Sequence, residues 1–352
     1  MAANPKALLD ALAGAKTPGL QYLALRADGP IFEHCAGLSD VAARRAMDAA
    51  TTLNAYSMSK TFTAAAVLRL HQAGALNVDE PAAKYLSGIP YDRAITIRQL
   101  LAHTAGVPNP IPLRWVHLAA RHEGFDEAAA LRDVLRAHGK PAAAPGERFL
   151  YTNIGYWLLG PIVERVAAQP FERYVTEEVL VPLGIGPAEM RFTIPDAAKH
   201  ASGYLEKYSL MNLLKRFLID RELIDGYEGS WLKLQPHYVN GPAFGGLIGT
   251  VRVFGKFLAD QLRPVSALFG APTRSLFFEQ QHTRSGAPVP MTPGWHIGSL
   301  QGQRHFFKEG GGGGFHCTMR VYKDAGLATI VMSNATAFNS NACLDAVDIS
   351  FL

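Results

Sequence analysis

Ser57-Met58-Ser59-Lys60 sets a hydroxyl and an amine three positions apart, ahead of a run from Thr61 to Leu70 built mainly of Phe, Ala, Val and Leu. A helix that is apolar nearly all round is a buried one, and positions i and i+3 share a helix face, roughly 5–6 Å apart at Cβ. A serine hydroxyl is a weak nucleophile until a neighbouring base removes its proton. A lysine drawn into apolar surroundings loses hydration, its pKa falls, and part of it becomes a neutral base. The free N–H groups at a helix start then favour the oxyanion formed when a carbonyl is attacked. Ser57 and Lys60 are therefore candidates for nucleophilic catalysis. Taken alone, the same tetrapeptide also describes a helix cap followed by a surface lysine. A second match, Ser230-Trp231-Leu232-Lys233, lies between Gly229 and Pro236 with no long helix behind it, and reads as coincidence.

Two further segments could complete a site. Tyr151-Thr152-Asn153 follows the turn-like Pro145-Gly146-Glu147-Arg148-Phe149-Leu150. It precedes an apolar helix from Ile154 to Ala167, expected to restart or kink at Gly160-Pro161. A tyrosine there is by default a core or turn residue, yet such a loop can present its hydroxyl to a cleft. Lys308-Glu309 leads into the five glycines Gly310 to Gly314 and Phe315. A glycine run is usually a linker, but this one lies between two strand-like segments. There it marks close approach of a ligand or another backbone, and a free N–H of such a strand is a good oxyanion donor.

The elements that must position these residues lie at both ends of the chain. Gly19 to Ala27 and Ile31 to Leu38 read as a hairpin about Asp28-Gly29. Thr61 to Leu70 is the buried helix, with Gly74 placed to end it. Arg304 to Lys308, His316 to Tyr322 and Leu327 to Ser333 read as strands, the last two joined by Lys323-Asp324-Ala325-Gly326, and Ala337 to Phe351 reads as a closing helix. Leu76 to about Asn240 is helical and loop-rich, with many prolines. The expected class is α+β: an antiparallel sheet flanked by helices, residues 1–75 and 240–352, with a mostly helical domain inserted at 76–239.

Composition narrows the function classes. Of the 352 residues, 48% are hydrophobic and only 18% charged, against about 25% charged on average. That is core-forming material and excludes disorder. The net charge is 34 − 30 = +4, with no basic run longer than pairs such as Arg44-Arg45 and Lys215-Arg216, so no nucleic-acid surface is expected. Cys35, Cys317 and Cys343 are too few and scattered for a disulfide framework or thiolate site and read as buried thiols. The 12 histidines show no metal-ligand spacing, and neither a metal nor a cofactor is called for. No apolar run approaches the ~18 residues of a membrane span. Asp10 breaks what would be the apolar core of a signal peptide, so a cytoplasmic location is expected. The α/β-hydrolase elbow G-x-S-x-G is absent.

In order and together, the three segments resemble the serine β-lactamase and penicillin-binding family, in its class C β-lactamase, D-aminopeptidase and family VIII carboxylesterase branches. Ser57-x-x-Lys60 matches the nucleophile motif, Tyr151-x-Asn153 the class C tyrosine motif, and Lys308-Glu309-Gly310 stands where that family carries K-T-G or H-x-G. Ile97 to Gly106 resembles "LLxHTSG", Tyr151 to Leu159 "YSNxxYxLLG", Leu180 to Ile185 "xxPLGM", and Gly245-Gly246-Leu247 with Thr250 "GGLxST". The likeness spans roughly residues 20 to 335. It implies a β-lactamase/transpeptidase-like fold, Ser57 as the acylated nucleophile, and Lys60 and Tyr151 sharing the proton traffic. Either of these two could be the acylation base, a Tyr151 phenolate between Lys60 and Lys308 included. It further implies an oxyanion hole from the N–H groups of Ser57 and Gly311, and substrate binding by Asn153, Lys308, Glu309 and Gly310. Asn153 could alternatively orient Lys60, and His103 holds its loop.

Glu309 is the departure that matters, because in the carboxylate-recognising members of that family this position is a hydroxyl that binds the substrate's acid group. Pointing into the cleft, a glutamate repels such a group; it could instead accept a substrate amine or face solvent. With the expected location, this favours a serine hydrolase of small carboxylic esters. Rivals of the same fold are a β-lactamase, a D-amino-acid peptidase or amidase, and an acyltransferase; a catalytically silent binding protein is the rival of another class. Residues 204 to 240, rich in Leu, Tyr and Trp, could wall an acyl or alcohol pocket or serve only as packing.

Overall fold

A computed structural model describes residues 4–112, 114–213, 215 and 219–352. Met1 to Ala3, and Arg216 of the Lys215-Arg216 pair, lie outside the described residues. Seven antiparallel strands form the main sheet: β1 Gly19–Arg26, β2 Gly29–Asp40, β3 Arg45–Ala46, β4 His296–Leu300, β5 Gln303–Gly312, β6 Phe315–Tyr322 and β7 Leu327–Ser333. Their spatial order is β4-β5-β6-β7-β1-β2-β3, so the two ends of the chain meet where β1 pairs with β7, Tyr22 opposite Val331. The hairpin turn is Ala27-Asp28 rather than Asp28-Gly29, because Arg26 pairs with Gly29 as the first rung of the ladder.

Both faces of the sheet are covered, which is why β1 and β7 read as near-continuous apolar runs. On one face lie α1 (Pro5–Leu12) and the final helix α5 (Ser340–Asp348), packed on Leu20, Tyr22, Ala24 and Val331. The Asp348 carboxylate ties α5 down by accepting hydrogen bonds from Tyr22 (3.0 Å), Tyr322 (2.8 Å) and Thr329 (2.9 Å). The other face packs against α2 (Ser59–Gln72) and α4 (Val251–Leu262), with Leu23, Leu25, Ile330 and Met332 in the larger core.

Helix α2 is buried over nearly its whole length, as its composition requires. It ends at Gly74, whose φ of +72° suits a residue without Cβ. The bonds Gly74 N–H to His71 O and Ala75 N–H to Leu70 O, both 3.0 Å, close that end. Helix α3 (Asn153–Ala167) starts from a Thr152 cap and runs through Gly160-Pro161 without interruption. Pro161 is the ninth of its fifteen residues, so the helix runs on there without the interior N–H bond to the Trp157 carbonyl.

The segment between α2 and α4 also carries strands that periodicity did not signal. Gly203–Glu206, Trp231–Leu234 and Ile224–Glu228 form a three-stranded sheet in that order, and Val116–Leu118 pairs with His237–Val239. At three to five residues each, they are too short for alternation to stand out. They form one wall of the site described next. Among the described residues no helix is long and apolar enough to cross a membrane.

Candidate active site

Ser57 lies in a single 3₁₀ turn, Tyr56–Met58, that feeds directly into α2. Lys60, one turn on, is fully buried, and its Nζ reaches three acceptors: Ser57 Oγ at 2.8 Å, Asn153 Oδ1 at 2.7 Å and Phe244 O at 2.7 Å. Burial and the nearby Lys308 charge hold its pKa well below the ordinary lysine range. The partner types then decide where its lone pair points. Asn153 Oδ1 and Phe244 O can only accept, so the two protons of a neutral amine go to them. The lone pair is left facing Ser57, which is the arrangement of a base.

Tyr151 reaches the same oxygen from the opposite side, its hydroxyl donating to Ser57 Oγ at 2.9 Å. Burial raises its pKa above the usual phenol value, against the smaller opposing effect of its bond to Ser57. The phenolate considered from the sequence is thus disfavoured, and Tyr151 stands as a proton donor. Lys308 Nζ lies 5.5 Å from the Tyr151 ring centre with no hydrogen-bond partner among the described residues, and burial pushes its pKa down to about 7.

Asn153 and Tyr151 are held in turn by Asn109, which lies in no motif, and by His103 of the Ile97 to Gly106 segment. Asn109 Oδ1 accepts from Asn153 N (2.9 Å) and Nδ2 (3.2 Å), which turns the Asn153 oxygen toward Lys60. His103 brackets Tyr151: its carbonyl accepts from Leu150 N at 2.7 Å and its Nδ1 from Thr152 N at 3.1 Å. Buried, and beside Lys308, it is kept neutral. The loop-holding role expected for His103 matches this geometry.

The glycine strand approaches from the third side. β4 pairs with β5 only as far as Phe307, so Lys308 to Gly312 form a free edge. The edge is tightly packed, and glycine is required where its neighbours cannot give way. A Cβ at Gly310 would lie 2.1 Å from Ala55 O, and one at Gly312 2.4 Å from the Tyr56 ring. Tyr56 itself has a φ of +42°, a left-handed conformation that costs a bulky residue roughly 1–2 kcal/mol. Its hydroxyl lies 2.7 Å from Gly313 O and 2.9 Å from His237 Nε2. His237 Nδ1 donates to Gln235 O at 2.8 Å, and burial keeps the ring neutral, so the phenolic proton is shared between the two acceptors. Tyr56 therefore ties the residue before Ser57 to the glycine edge.

These residues open on a cavity of about 550 Å³, lined by Ser57, Tyr151, Asn153, Glu309 and Gly311 to Gly313 on the polar side. Trp115, Val116, Leu205, Leu223, Leu234, Val239 and Phe244 line the apolar side. Gly310 is packed behind this surface against Ala55, and Lys308 is fully buried behind Tyr151. Glu309 is half-exposed and bonded to His316 Nε2 at 3.1 Å. Ser230 and Lys233 lie elsewhere: Lys233 pairs with Asp40 and Glu228, away from Ser57. Cys317 and Cys343 are buried thiols and Cys35 is partly buried.

Ser57 Oγ thus stands between a buried amine and a phenol on the polar side of the cavity. The Beta-lactamase family model matches residues 6–350, and the chain belongs to the β-lactamase family. Protein flp of Staphylococcus aureus (strain N315) is 31% identical over 199 residues, 53% of this chain and 38% of that protein. Penicillin-binding protein 4* of Bacillus subtilis is 26% identical over 179 residues, 50% of this chain and 39% of that one. The matched stretch thus spans less than two-fifths of either relative. Among solved structures, the D-amino acid amidase from Ochrobactrum anthropi in complex with D-phenylalanine superposes with a TM-score of 0.79 at 17% identity, covering 98% of this chain and 97% of that one. The octameric penicillin-binding protein homologue from Pyrococcus abyssi gives 0.77 at 22%, covering 96% and 74%. At these identities the likeness establishes the β-lactamase/transpeptidase fold.

Proposed function

We propose that this protein is a serine hydrolase that cleaves small carboxylic esters through an acyl-enzyme on Ser57. The observation that carries the reading is the Lys60 amine, whose two acceptor-only partners leave its lone pair for the Ser57 proton. As Ser57 Oγ bonds to the carbonyl carbon, its proton passes to Lys60 and the carbonyl electron pair moves to oxygen. The N–H groups of Ser57 and Gly311 are the assigned donors to that oxyanion. Collapse breaks the bond to the alcohol oxygen, which takes a proton from Tyr151; the Lys60 ammonium restores the phenol. Water then attacks the acyl-enzyme with the same groups acting in reverse.

Two features favour esters over β-lactams. The cavity offers an apolar wall from the 115–116 and 205–239 segments, and the acidic side chain lining it, Glu309, opposes a substrate carboxylate. The test compares initial rates on a short-chain p-nitrophenyl ester and on nitrocefin, with intact mass after a fluorophosphonate. Ester turnover, weak nitrocefin turnover and one adduct mapped to Ser57 are expected. Fast nitrocefin turnover would place a β-lactamase first, and a chain that takes no label would be the silent binding protein.

Tyr56 gives this reading a second test. If it holds the glycine edge against Ser57, Tyr56→Phe misplaces an oxyanion donor without touching the apolar wall. A kcat loss of about tenfold to a hundredfold is expected, with KM for a small ester within about twofold of wild type. A raised KM at constant kcat would show that Tyr56 shapes binding instead.

A further inference from the structure

Charge at the cavity wall carries a conclusion about substrate that the acyl-transfer chemistry leaves open. Among the described residues lining the cavity, Glu309 supplies the one carboxylate, and no lysine or arginine lines it. Of the three lining histidines, His237 and His296 are held neutral by burial, His296 with its pKa pushed down to about 2, and His316 is bonded to Glu309. Lys60 and Lys308 sit behind Ser57 and Tyr151, fully buried, and desolvation biases both toward the uncharged amine. A substrate cation therefore meets a carboxylate on a wall that no described lysine or arginine lines.

That carboxylate is a fixed group. His316 Nε2 holds Glu309 Oε1 at 3.1 Å, while His316 Nδ1 lies 2.8 Å from Ser340 Oγ, itself 2.6 Å from Thr318 Oγ1 on the same strand as His316. The His316 bond, with the Asn341 side chain and the Arg320 charge, holds the Glu309 carboxyl below its ordinary range despite partial burial. A carboxylate has about four lone-pair positions, so its second oxygen keeps free capacity, and the side chain is 41% exposed. Glu309 and Gly311 are two residues apart on one strand, roughly 6.6 Å, and so share a strand face. A group bound at Glu309 therefore lies about one short side chain from a carbonyl held at Gly311.

We infer that Glu309, fixed by His316, is an ammonium-binding subsite. The preferred substrates are then esters or amides whose acyl group carries a free amine beside an apolar side chain, the amine at Glu309 and the side chain against the Trp115–Leu234 wall. The inference rests on Ser57 being the nucleophile. A charge-assisted hydrogen bond in a partly closed cleft discriminates by about 10- to 100-fold.

The test uses leucine methyl ester, in both enantiomers, and methyl 4-methylpentanoate, which differs only by hydrogen in place of the amine. The readout is the ratio of kcat/KM, amine-bearing over amine-free, at neutral pH for wild type and Glu309→Gln. A wild-type ratio of at least about ten for one enantiomer, falling at least about fivefold in Glu309→Gln, supports the subsite. A wild-type ratio near one, or a preference that survives in Glu309→Gln, overturns it while hydrolysis of the amine-free ester leaves the Ser57 reading standing. No hydrolysis of any ester and no fluorophosphonate adduct on Ser57 overturns both.

Discussion

Ser57→Ala and Lys60→Met are each expected to lower kcat/KM for a p-nitrophenyl ester by about ten-thousand-fold, with no further loss in the double variant. Ser57 is the atom that accepts the acyl group, and Lys60 is the base that makes it a nucleophile, so removing either ends the same step. Met fits the Lys60 channel in length and needs no hydration. Its cost to folding is the two acceptors it leaves unpaired, Asn153 Oδ1 and Phe244 O, about 1–3 kcal/mol each. Thermal melting separates that cost from the kinetic one. Lys60→Met is also expected to slow fluorophosphonate labelling of Ser57 by a similar factor. A Lys60→Met enzyme that keeps a tenth of wild-type kcat/KM would remove Lys60 as the base.

The same assignment fixes the sign of the pH dependence. Lys60 must be neutral to act, and burial with the Lys308 charge lowers its pKa. Activity is therefore present above the folded pKa of Lys60 and falls as pH drops through it. Lys308, pushed down to about 7, gains its own proton in the neutral range, and its charge then opposes protonation of Lys60. The two titrate as a pair, which broadens the acid limb. Lys308→Met removes that repulsion, so the acid limb of kcat/KM should sharpen and move to higher pH. A limb that stays in place would locate the titrating base elsewhere.

Residue types and spacing brought Ser57, Lys60, Tyr151, Asn153 and the glycine strand into view because each follows from chemistry that side chains alone can signal. Asn109, His237 and the Phe244 carbonyl were not legible. Their roles come from loops about 45 to 185 positions away that meet only in the folded chain, and a backbone carbonyl has no residue type to read. Tyr56 sits beside the nucleophile, but its left-handed φ and its bond to Gly313 are properties of the fold. The need for glycine at Gly310 and Gly312 follows from neighbours that sequence does not display, Ala55 O and the Tyr56 ring. The sheet built from both chain ends was legible because long strands buried on both faces carry a strong apolar signal. The three- to five-residue strands of the middle segment carry none, although four of them, 116–118, 203–206, 231–234 and 237–239, wall the cavity.

Tyr151→Phe separates the two proton-handling roles, because its effect depends on the leaving group. A raised pKa leaves Tyr151 a phenol bonded to Ser57 Oγ, poised to give a proton to the departing oxygen rather than to take one from Ser57. A p-nitrophenolate leaves without protonation at neutral pH, so for that ester Tyr151→Phe should cost only about tenfold. An alkoxide is a far stronger base, and its departure needs the proton. For a methyl ester the loss should be about hundredfold to thousandfold, within the usual range for general acid catalysis. The ring stays in place in the variant, packed 4.4 Å from His103, so the cleft keeps its shape and the difference between esters reports proton transfer. Equal losses on both esters, together with slower fluorophosphonate labelling, would instead make Tyr151 part of the base that activates Ser57. In that case Lys60 would serve to hold the phenolate charge, and the acid limb of the Lys60 titration would vanish from kcat/KM in Tyr151→Phe.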